Sequence, residues 1–252
     1  MCAKTYEVYD SINPPIEEAY KVLRTNIQFC SNEKKVKTLS IVSCNNKEGK
    51  TTISINLAIS LARSGQKVLL IDADMRKPMG IKRLGGNNYT GLSNFLLGEV
   101  SLEEVVSHTS IKNLYYIACG QRYVNSTELV GSERFSEFLE IVKEIYDMVV
   151  IDTTTLGNII DAALIASQTD GTLIVVASRE LNARKAKRLK EQLEKANANI
   201  LGVALNKVSK RDYKLYYTHT YDFYYYNEKG QTNRFVKGRF KRVKQNEVKY
   251  ND

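Results

Sequence analysis

The chain has no long apolar segment, and it holds only 4 cysteines and 3 prolines in 252 residues. A membrane-spanning helix needs about 18 consecutive apolar residues, so none is predicted. The N-terminus lacks the basic and then apolar pattern of a secretory signal. The cysteines are scattered without the spacing of a metal site, which favours reduced thiols. We therefore expect a cytoplasmic globular protein.

Positive charge is concentrated at the C-terminus. The formal net charge is +9 at pH 7, and residues 229–252 hold eight Lys or Arg against two acidic residues. The simplest interpretation of such a run is a solvated tail. The alternative is that it binds anionic lipid or an acidic polysaccharide. We expect the chain after residue 208 to form a mobile, disordered tail.

Apolar runs alternate with helical patterns between residues 37 and 206. The runs at 68–71 and 148–151 are apolar throughout, which is typical of strands buried on both faces of a parallel sheet. This alternation predicts an α/β fold with a doubly wound, mostly parallel sheet. Strands are predicted at 37–43, 67–72, 113–118, 147–152, 171–177 and 199–206, and helices at 14–29, 50–64, 101–108, 132–145, 158–168 and 182–197.

The segment SCNNKEGKTT, residues 43–52, lies where a predicted strand becomes a predicted helix. Backbone N–H groups of such a loop and of the helix N-terminus bind phosphate. Gly49, Lys50 and Thr51 match the end of the pattern G-x-x-x-x-G-K-[ST], in which lysine binds the terminal phosphates and the hydroxyl binds Mg²⁺. Cys44 stands where the first glycine of that pattern belongs. The predicted nucleotide-binding residues of the loop are Glu48, Gly49, Lys50, Thr51 and Thr52.

Acidic residues follow two of the predicted strands. Asp72 and Asp74 are two positions apart and face the same side, and Asp152 ends a later strand. In open α/β sheets this edge binds ligands, and carboxylates there can hold Mg²⁺ or accept a proton from an incoming hydroxyl. The alternative is that they are solvated acids at strand ends. Arg76 and Lys77 are either surface charges or groups that hold substrate.

Tyrosines cluster just before the basic tail. Seven of the 16 tyrosines lie within residues 213–226. Their spacing fits neither helix nor strand, which argues against an aromatic core stripe. Two alternatives are a surface that stacks on nucleic-acid bases and a set of phosphoacceptors. The candidate phosphoacceptors are Tyr213, Tyr216, Tyr217, Tyr221, Tyr224, Tyr225 and Tyr226.

In combination these segments resemble the bacterial tyrosine kinases that control capsule and exopolysaccharide synthesis. The resemblance runs from Glu17 to about Tyr226 and includes the stretches EEAYKVLRTNIQF, EGKTT, VLLIDADMRKP, GLSNFLLGE, YDMVVIDT and ANILGVALNKV. The partition-type and division-site ATPases share the loop and the acidic strands. However, they carry an extra lysine at the position of Asn45 and lack a terminal tyrosine cluster.

The resemblance implies a P-loop kinase that uses ATP and Mg²⁺. Lys50 and Thr51 would hold phosphates and metal, and Asp72 would activate the tyrosine hydroxyl. Asp74 and Asp152 would organise the metal. Asn206, after the last predicted strand, would contact the adenine, or it is simply a strand-ending residue. The implied catalytic set is Lys50, Asp72, Asp74 and Asp152.

The family also implies an assembly. Glu18, Lys21 and Arg24 match its Glu-x-x-Arg-x-x-Arg pattern, with lysine in place of the first arginine. In the family this helix builds a ring of commonly eight subunits, and each tail then enters a neighbouring active site. The alternative is an ordinary solvated helix face. We divide the chain into an oligomerisation segment at 1–36, a kinase core at 37–208 and a tyrosine-rich, basic tail at 209–252.

The same resemblance implies partners and a location. Members without membrane helices are activated by the cytoplasmic end of a transmembrane adaptor of the polysaccharide co-polymerase type, which would recruit the chain to the inner face of the membrane. Protein tyrosine substrates and a tyrosine phosphatase are expected as further partners, and nucleic acid is not.

Three departures from the family pattern change backbone stiffness. Lys47 replaces a loop glycine, residues 153–155 read Thr-Thr-Thr where the family has Thr-Pro-Pro, and residues 121–127 replace a proline-rich segment. Two other functions therefore stay open: a nucleotide-dependent assembly switch of the partition type, and a scaffold that no longer binds nucleotide.

Overall fold

The computed structural model describes residues 5–6, 8, 14–30, 36–76, 90–123, 125–155, 160–178, 183–209 and 212. Within these residues the chain forms one mostly parallel sheet flanked by helices. The strands are β1 Thr5–Tyr6, β2 Thr38–Ser43, β3 Val68–Asp72, β4 Val106–Thr109, β5 Leu114–Ile117, β6 Met148–Thr155, β7 Gly171–Ala177 and β8 Ile200–Asn206. The helices are α1 Pro14–Cys30, α2 Lys50–Arg63, α3 Leu92–Leu96, α4 Leu102–Val105, α5 Ser126–Val130, α6 Glu133–Ile145, α7 Asp161–Gln168 and α8 Ala183–Lys195.

The strand order is β1-β4-β5-β3-β6-β2-β7-β8. All neighbouring strands are parallel except β4 and β5, which are antiparallel. Every residue of β2, β3 and β7 is buried, as expected for strands covered on both faces. The predicted doubly wound α/β fold is confirmed.

The three central strands β3, β6 and β2 bring the candidate residues together. The loop at 43–49 follows β2, while Asp72 ends β3 and Asp152 lies in β6. Asp72 and Asp152 are paired in register across β3 and β6. Because the strands are parallel, their carboxyl ends share one edge, and the candidate site lies there.

Helix α1 packs against α2, the helix that begins at the phosphate loop. Its buried Ile27 belongs to the main hydrophobic core. Arg24 Nη1 donates to the Ser60 carbonyl at 2.6 Å, and Asn56 Nδ2 donates to the Tyr20 hydroxyl at 3.3 Å. The N-terminal helix is therefore attached to the same α/β unit as the site.

Two parts of the element prediction are wrong or incomplete. The helix predicted at 101–108 ends at Val105, and Val106–Thr109 forms strand β4 beside β5. The sequence analysis also missed β1, α3 and α5, because two to five residues carry too little periodicity. In the part of the chain described above, no helix is long and apolar enough to cross a membrane.

Candidate active site

The phosphate loop contains two residues with left-handed backbone. Gly49, directly before the first residue of α2, has φ +98°. Glycine adopts this conformation without a steric penalty. Lys47 has φ +65°, and its Cβ makes that conformation unfavourable. The loop therefore requires a positive φ at residue 47, where the family pattern has glycine.

Two side chains hold the loop in shape. The Glu48 carboxylate is buried and accepts hydrogen bonds from the Asn45 N–H at 2.9 Å and from its Nδ2 at 3.0 Å. Asn206, at the end of β8, donates from Nδ2 to the Glu48 carbonyl at 2.8 Å. A Cβ on Gly49 would collide with Asn206 Nδ2, so a larger residue here would displace the Asn206 side chain in addition to straining the backbone. The adenine contact of Asn206 stays a prediction.

Lys50 begins α2 and points into the protein. Its side chain is largely buried, and burial lowers the pKa of the ammonium group, while the charges of Asp152, Asp74 and Glu48 act in the opposite direction. A desolvated ammonium group attracts an anion such as a phosphate more strongly than a solvated one does.

The carboxylates of Asp72 and Asp152 are both nearly inaccessible to solvent. Asp72 Oδ1 accepts the Asp74 N–H at 3.0 Å, and Asp152 Oδ1 accepts the Ser54 hydroxyl at 3.1 Å. Burial raises the pKa of Asp152 to about 6, although hydrogen bonds from Thr51 and Ser54 and the Lys50 charge lower it. Perturbed carboxylates beside a lysine are typical of functional sites.

Ser54 is a site residue that the sequence analysis missed. It lies one helical turn after Lys50, and its hydroxyl bonds both the Lys50 carbonyl at 3.0 Å and Asp152. Ser54 is four residues after Lys50, so both side chains lie on one face of α2. This spacing could have predicted Ser54 as a site residue from the sequence.

Arg76 binds other residues of the same chain. Its Nε lies 3.0 Å from Asp161 Oδ2, and its Nη2 donates to the Thr127 hydroxyl at 3.1 Å. Burial raises the pKa of Asp161, but the hydrogen bonds from Arg76, Ser126 and Thr127 outweigh it, so the pKa is lowered. Arg76 therefore fixes the segment after β3 to the start of α7. Lys77 lies outside the described residues.

The three residues predicted to build a ring lie on α1. Lys21 Nζ lies 3.5 Å from both Glu17 and Glu18 on the same helix. Arg24 contacts α2, as described above, so within one chain it attaches α1 to the core. Ring assembly stays a prediction. The seven candidate phosphoacceptors at 213–226 and the basic tail lie outside the described residues.

Comparison with known proteins identifies the family. A family model described as "AAA domain" matches residues 36–206. The tyrosine-protein kinase CpsD of Streptococcus pneumoniae serotype 4 is 40% identical over 194 residues, which cover 76% of this chain and 84% of that protein. The chimerical protein CapA2B2 superposes with a TM-score of 0.76 at 31% identity, covering 82% of this chain and 94% of that one.

The chain belongs to the bacterial tyrosine kinases. The kinase also resembles the septum site-determining protein MinD of Pyrococcus horikoshii, solved with Mg-ADP, at a TM-score of 0.60 and 26% identity over 70% of this chain and 73% of that one. The predicted relation to division-site ATPases is therefore confirmed at the level of the fold.

The donor atoms of the kinase site fit Mg²⁺. The Thr51 hydroxyl and the carboxylates of Asp74 and Asp152 offer oxygen only, and their edge of the sheet adjoins the phosphate loop. Among the residues that the structure describes, no group of three or more His, Cys, Asp or Glu forms a metal cluster. Mg²⁺ at nucleotide sites is held by one or two carboxylates together with water and phosphates, so a sparse protein donor set is suitable.

Proposed function

We propose that the kinase uses Mg-ATP to phosphorylate the tyrosines of its own C-terminal cluster, in a neighbouring subunit, and to phosphorylate other proteins. The observation that carries the proposal is the convergence of buried Lys50, Asp72 and Asp152 beside a loop shaped to bind phosphate. The CpsD relative, which is named a tyrosine-protein kinase, supports the choice of tyrosine as acceptor.

Each side chain has a role in this transfer. Lys50 and the N–H groups at the start of α2 bind the β- and γ-phosphates, and the Thr51 hydroxyl with Asp74 and Asp152 would hold Mg²⁺, which neutralises phosphate charge when bound. Asp72 accepts the phenolic proton as the tyrosine oxygen attacks the γ-phosphorus. The bond between the γ-phosphorus and the bridging oxygen breaks, and ADP leaves with that electron pair.

We also propose that the kinase regulates capsular or exopolysaccharide synthesis. A transmembrane adaptor would recruit the chain to the inner face of the membrane, and a ring of subunits would bring each tail to a neighbouring site. A tyrosine phosphatase would reverse the reaction. Each added phosphate brings about −1.5 to −2 charges, so modification would oppose the positive charge of the tail.

Phosphate transfer from labelled ATP tests this function. The full chain with Mg-ATP should incorporate label into protein tyrosine, and Lys50→Met should incorporate none while its thermal unfolding midpoint stays close to that of the parent. Label released only as inorganic phosphate would instead favour the partition-type ATPase, to which the MinD likeness points.

Ligand-induced stabilisation tests the scaffold alternative. A ligand that binds only the folded state raises the unfolding temperature by mass action. Mg-ATP should therefore stabilise the wild-type chain by several degrees, with a smaller effect on Lys50→Met. An unfolding temperature that does not change at millimolar Mg-ATP would contradict nucleotide binding.

A further inference from the structure

Ser54 is a polar residue in a buried stretch of α2. The residue is fully buried, and its neighbours along the helix, Ile53 and Ile55, are buried apolar residues. Serine is less favourable than alanine inside a helix, because its hydroxyl competes for backbone hydrogen bonds. We therefore expect Ser54 to make a contact that alanine could not make.

The Ser54 hydroxyl has one proton and two acceptors within reach, the Lys50 carbonyl at 3.0 Å and Asp152 Oδ1 at 3.1 Å. Within an α-helix a carbonyl accepts the backbone N–H four residues later, so the Lys50 carbonyl has a donor without this hydroxyl. A hydrogen bond to a carboxylate is roughly twice as strong as one between neutral groups. The hydroxyl proton is therefore directed to Asp152.

Thr51 is a second residue of α2 whose hydroxyl donates to Asp152. It is only partly buried and lies at the loop end of the helix, where the proposed function also gives its oxygen to Mg²⁺. Ser54 lies further along the helix and is 0% exposed, so solvent does not compete for its hydrogen bond. Of these two donors, Ser54 is thus the one that holds the carboxylate without also holding metal.

We propose that Ser54 is a positioning residue of the kinase, whose buried hydroxyl fixes the orientation of the Asp152 carboxylate and so prepares it to hold Mg²⁺. A carboxylate that is already oriented does not have to be ordered when the ion binds. Loss of a residue that hydrogen-bonds a metal ligand typically lowers metal affinity by about 10- to 100-fold. The inference rests on the proposed function, since Asp152 is there a metal-holding residue.

Two variants separate this role from a general effect of removing a buried hydroxyl. Ser54→Ala removes the donor to Asp152 and favours the helix. Ser60→Ala is the matched control, since Ser60 is also a buried serine of α2. Its hydroxyl is 3.5 Å from Arg24 Nη1, whereas the shorter contact of that arginine is with the Ser60 carbonyl, which alanine keeps.

Calorimetric titration of the full chain with ADP, in Mg²⁺ and in EDTA, tests the role without phosphate transfer. We expect Ser54→Ala to bind ADP like the wild type in EDTA, within about twofold, and about tenfold more weakly in Mg²⁺. Ser60→Ala should match the wild type in both. Unchanged affinity of Ser54→Ala in Mg²⁺ would overturn the proposal. Equal losses with and without Mg²⁺ would also overturn it, because they would indicate a structural defect that does not depend on metal.

A crystal structure of the metal-free full chain gives a second measurement, which does not need nucleotide. We expect Asp152 Oδ1 to accept from Ser54 in the wild type and in Ser60→Ala, and the carboxylate to be rotated or in several conformers in Ser54→Ala. An unchanged carboxylate in Ser54→Ala would overturn the inference. A wild-type chain that binds no Mg-ADP would refute the inference and the proposed function together, whereas one that binds it and makes no phosphotyrosine would refute the proposed function alone.

Discussion

At the scale of single residues, Lys47 shows how this kinase departs from its family. A left-handed conformation costs a non-glycine residue on the order of 1–2 kcal/mol, and here φ is +65°. The side chain is exposed, so the penalty arises from the backbone and the Cβ rather than from lost packing.

We expect Lys47→Gly to raise the free energy of unfolding by about 1 kcal/mol, because glycine adopts this backbone without strain. Lys47→Ala is the control, since it removes the charge and keeps the Cβ. Chemical denaturation of both variants measures the effect. If the two variants have equal stability, the loop is not strained at this residue.

Asp152 gives the nucleotide-free chain a pH-dependent stability. Its pKa is about 6 in the folded chain against 3.8 as a reference, so between these values the folded state binds more protons than the unfolded state. Stability should therefore fall as pH rises from about 4 to about 6. Asp152→Asn should be more stable than the parent at pH 7 by on the order of 2 kcal/mol, and the difference should vanish near pH 4.

Unfolding in urea at a series of pH values, without metal or nucleotide, measures this difference. Glu137→Gln, which changes an exposed acid on α6, is the matched control. A constant difference between Asp152→Asn and the parent from pH 4 to pH 7 would be inconsistent with a raised pKa at Asp152.

The sequence predicted Lys50, Asp72 and Asp152 as neighbours because each follows or ends an apolar strand, and parallel strands share a carboxyl edge. It could not predict the anchoring role of Asn206, because the contact joins residues 206 and 48 through tertiary packing alone. The Tyr116 hydroxyl, which has no hydrogen-bond partner among the described residues, likewise depends on how α2 packs over the sheet.

At the scale of secondary-structure elements, the Arg76–Asp161 pair connects the segment after β3 to α7. Asp161 is 1% exposed and Arg76 is about one third exposed, so removal of the arginine leaves a buried carboxylate without its charged partner. Ser126 of α5 also donates to Asp161, which extends the connection to a third element.

We expect Arg76→Ala to lower the free energy of unfolding by about 2 kcal/mol. The Asp161 carboxylate would stay buried without the positive charge that offsets its desolvation. Adding Asp161→Asn should recover part of that loss. Arg122→Ala, at an exposed position, is the control and should have little effect. Equal losses in the single and double variants would show that the charge on Asp161 is not the cause.

Helix and strand prediction succeeded where periodicity was long and failed where it was short. The apolar runs of β3, β6 and β7 are short and rich in β-branched residues, which favours buried strands. By contrast, Val106–Thr109 continues a helical pattern in sequence, and only antiparallel pairing with β5 makes it a strand. Tertiary pairing outweighs local propensity in such short segments.

At the scale of the whole molecule, α1 belongs structurally to the core rather than to a separate unit. Arg24 binds the Ser60 carbonyl at 2.6 Å, so the helix assigned to oligomerisation is attached to the helix that carries Lys50.

We expect Arg24→Ala to lower the unfolding temperature by a few degrees through loss of this contact, whatever the oligomeric state. Lys21→Ala is the control, since its partners Glu17 and Glu18 lie on α1 itself and do not attach the helix to α2. Differential scanning calorimetry at two protein concentrations measures both. Equal stability of Arg24→Ala and the parent would show that the contact does not attach α1.

Fold and family were readable from the sequence because the loop, the acidic strands and the tyrosine cluster occur together in one chain. The ring stays a prediction, since it depends on surfaces of several copies, and the predicted phosphoacceptors lie outside the described residues. We expect this site to transfer phosphate to tyrosine.

The most direct test is mass spectrometry of the full chain, as isolated from its host and after incubation with Mg-ATP. We expect phosphate on tyrosines within residues 213–226 of the wild-type chain and none in Lys50→Met. Complete absence of phosphotyrosine from the wild-type chain in both samples, with nucleotide shown to bind, would contradict it.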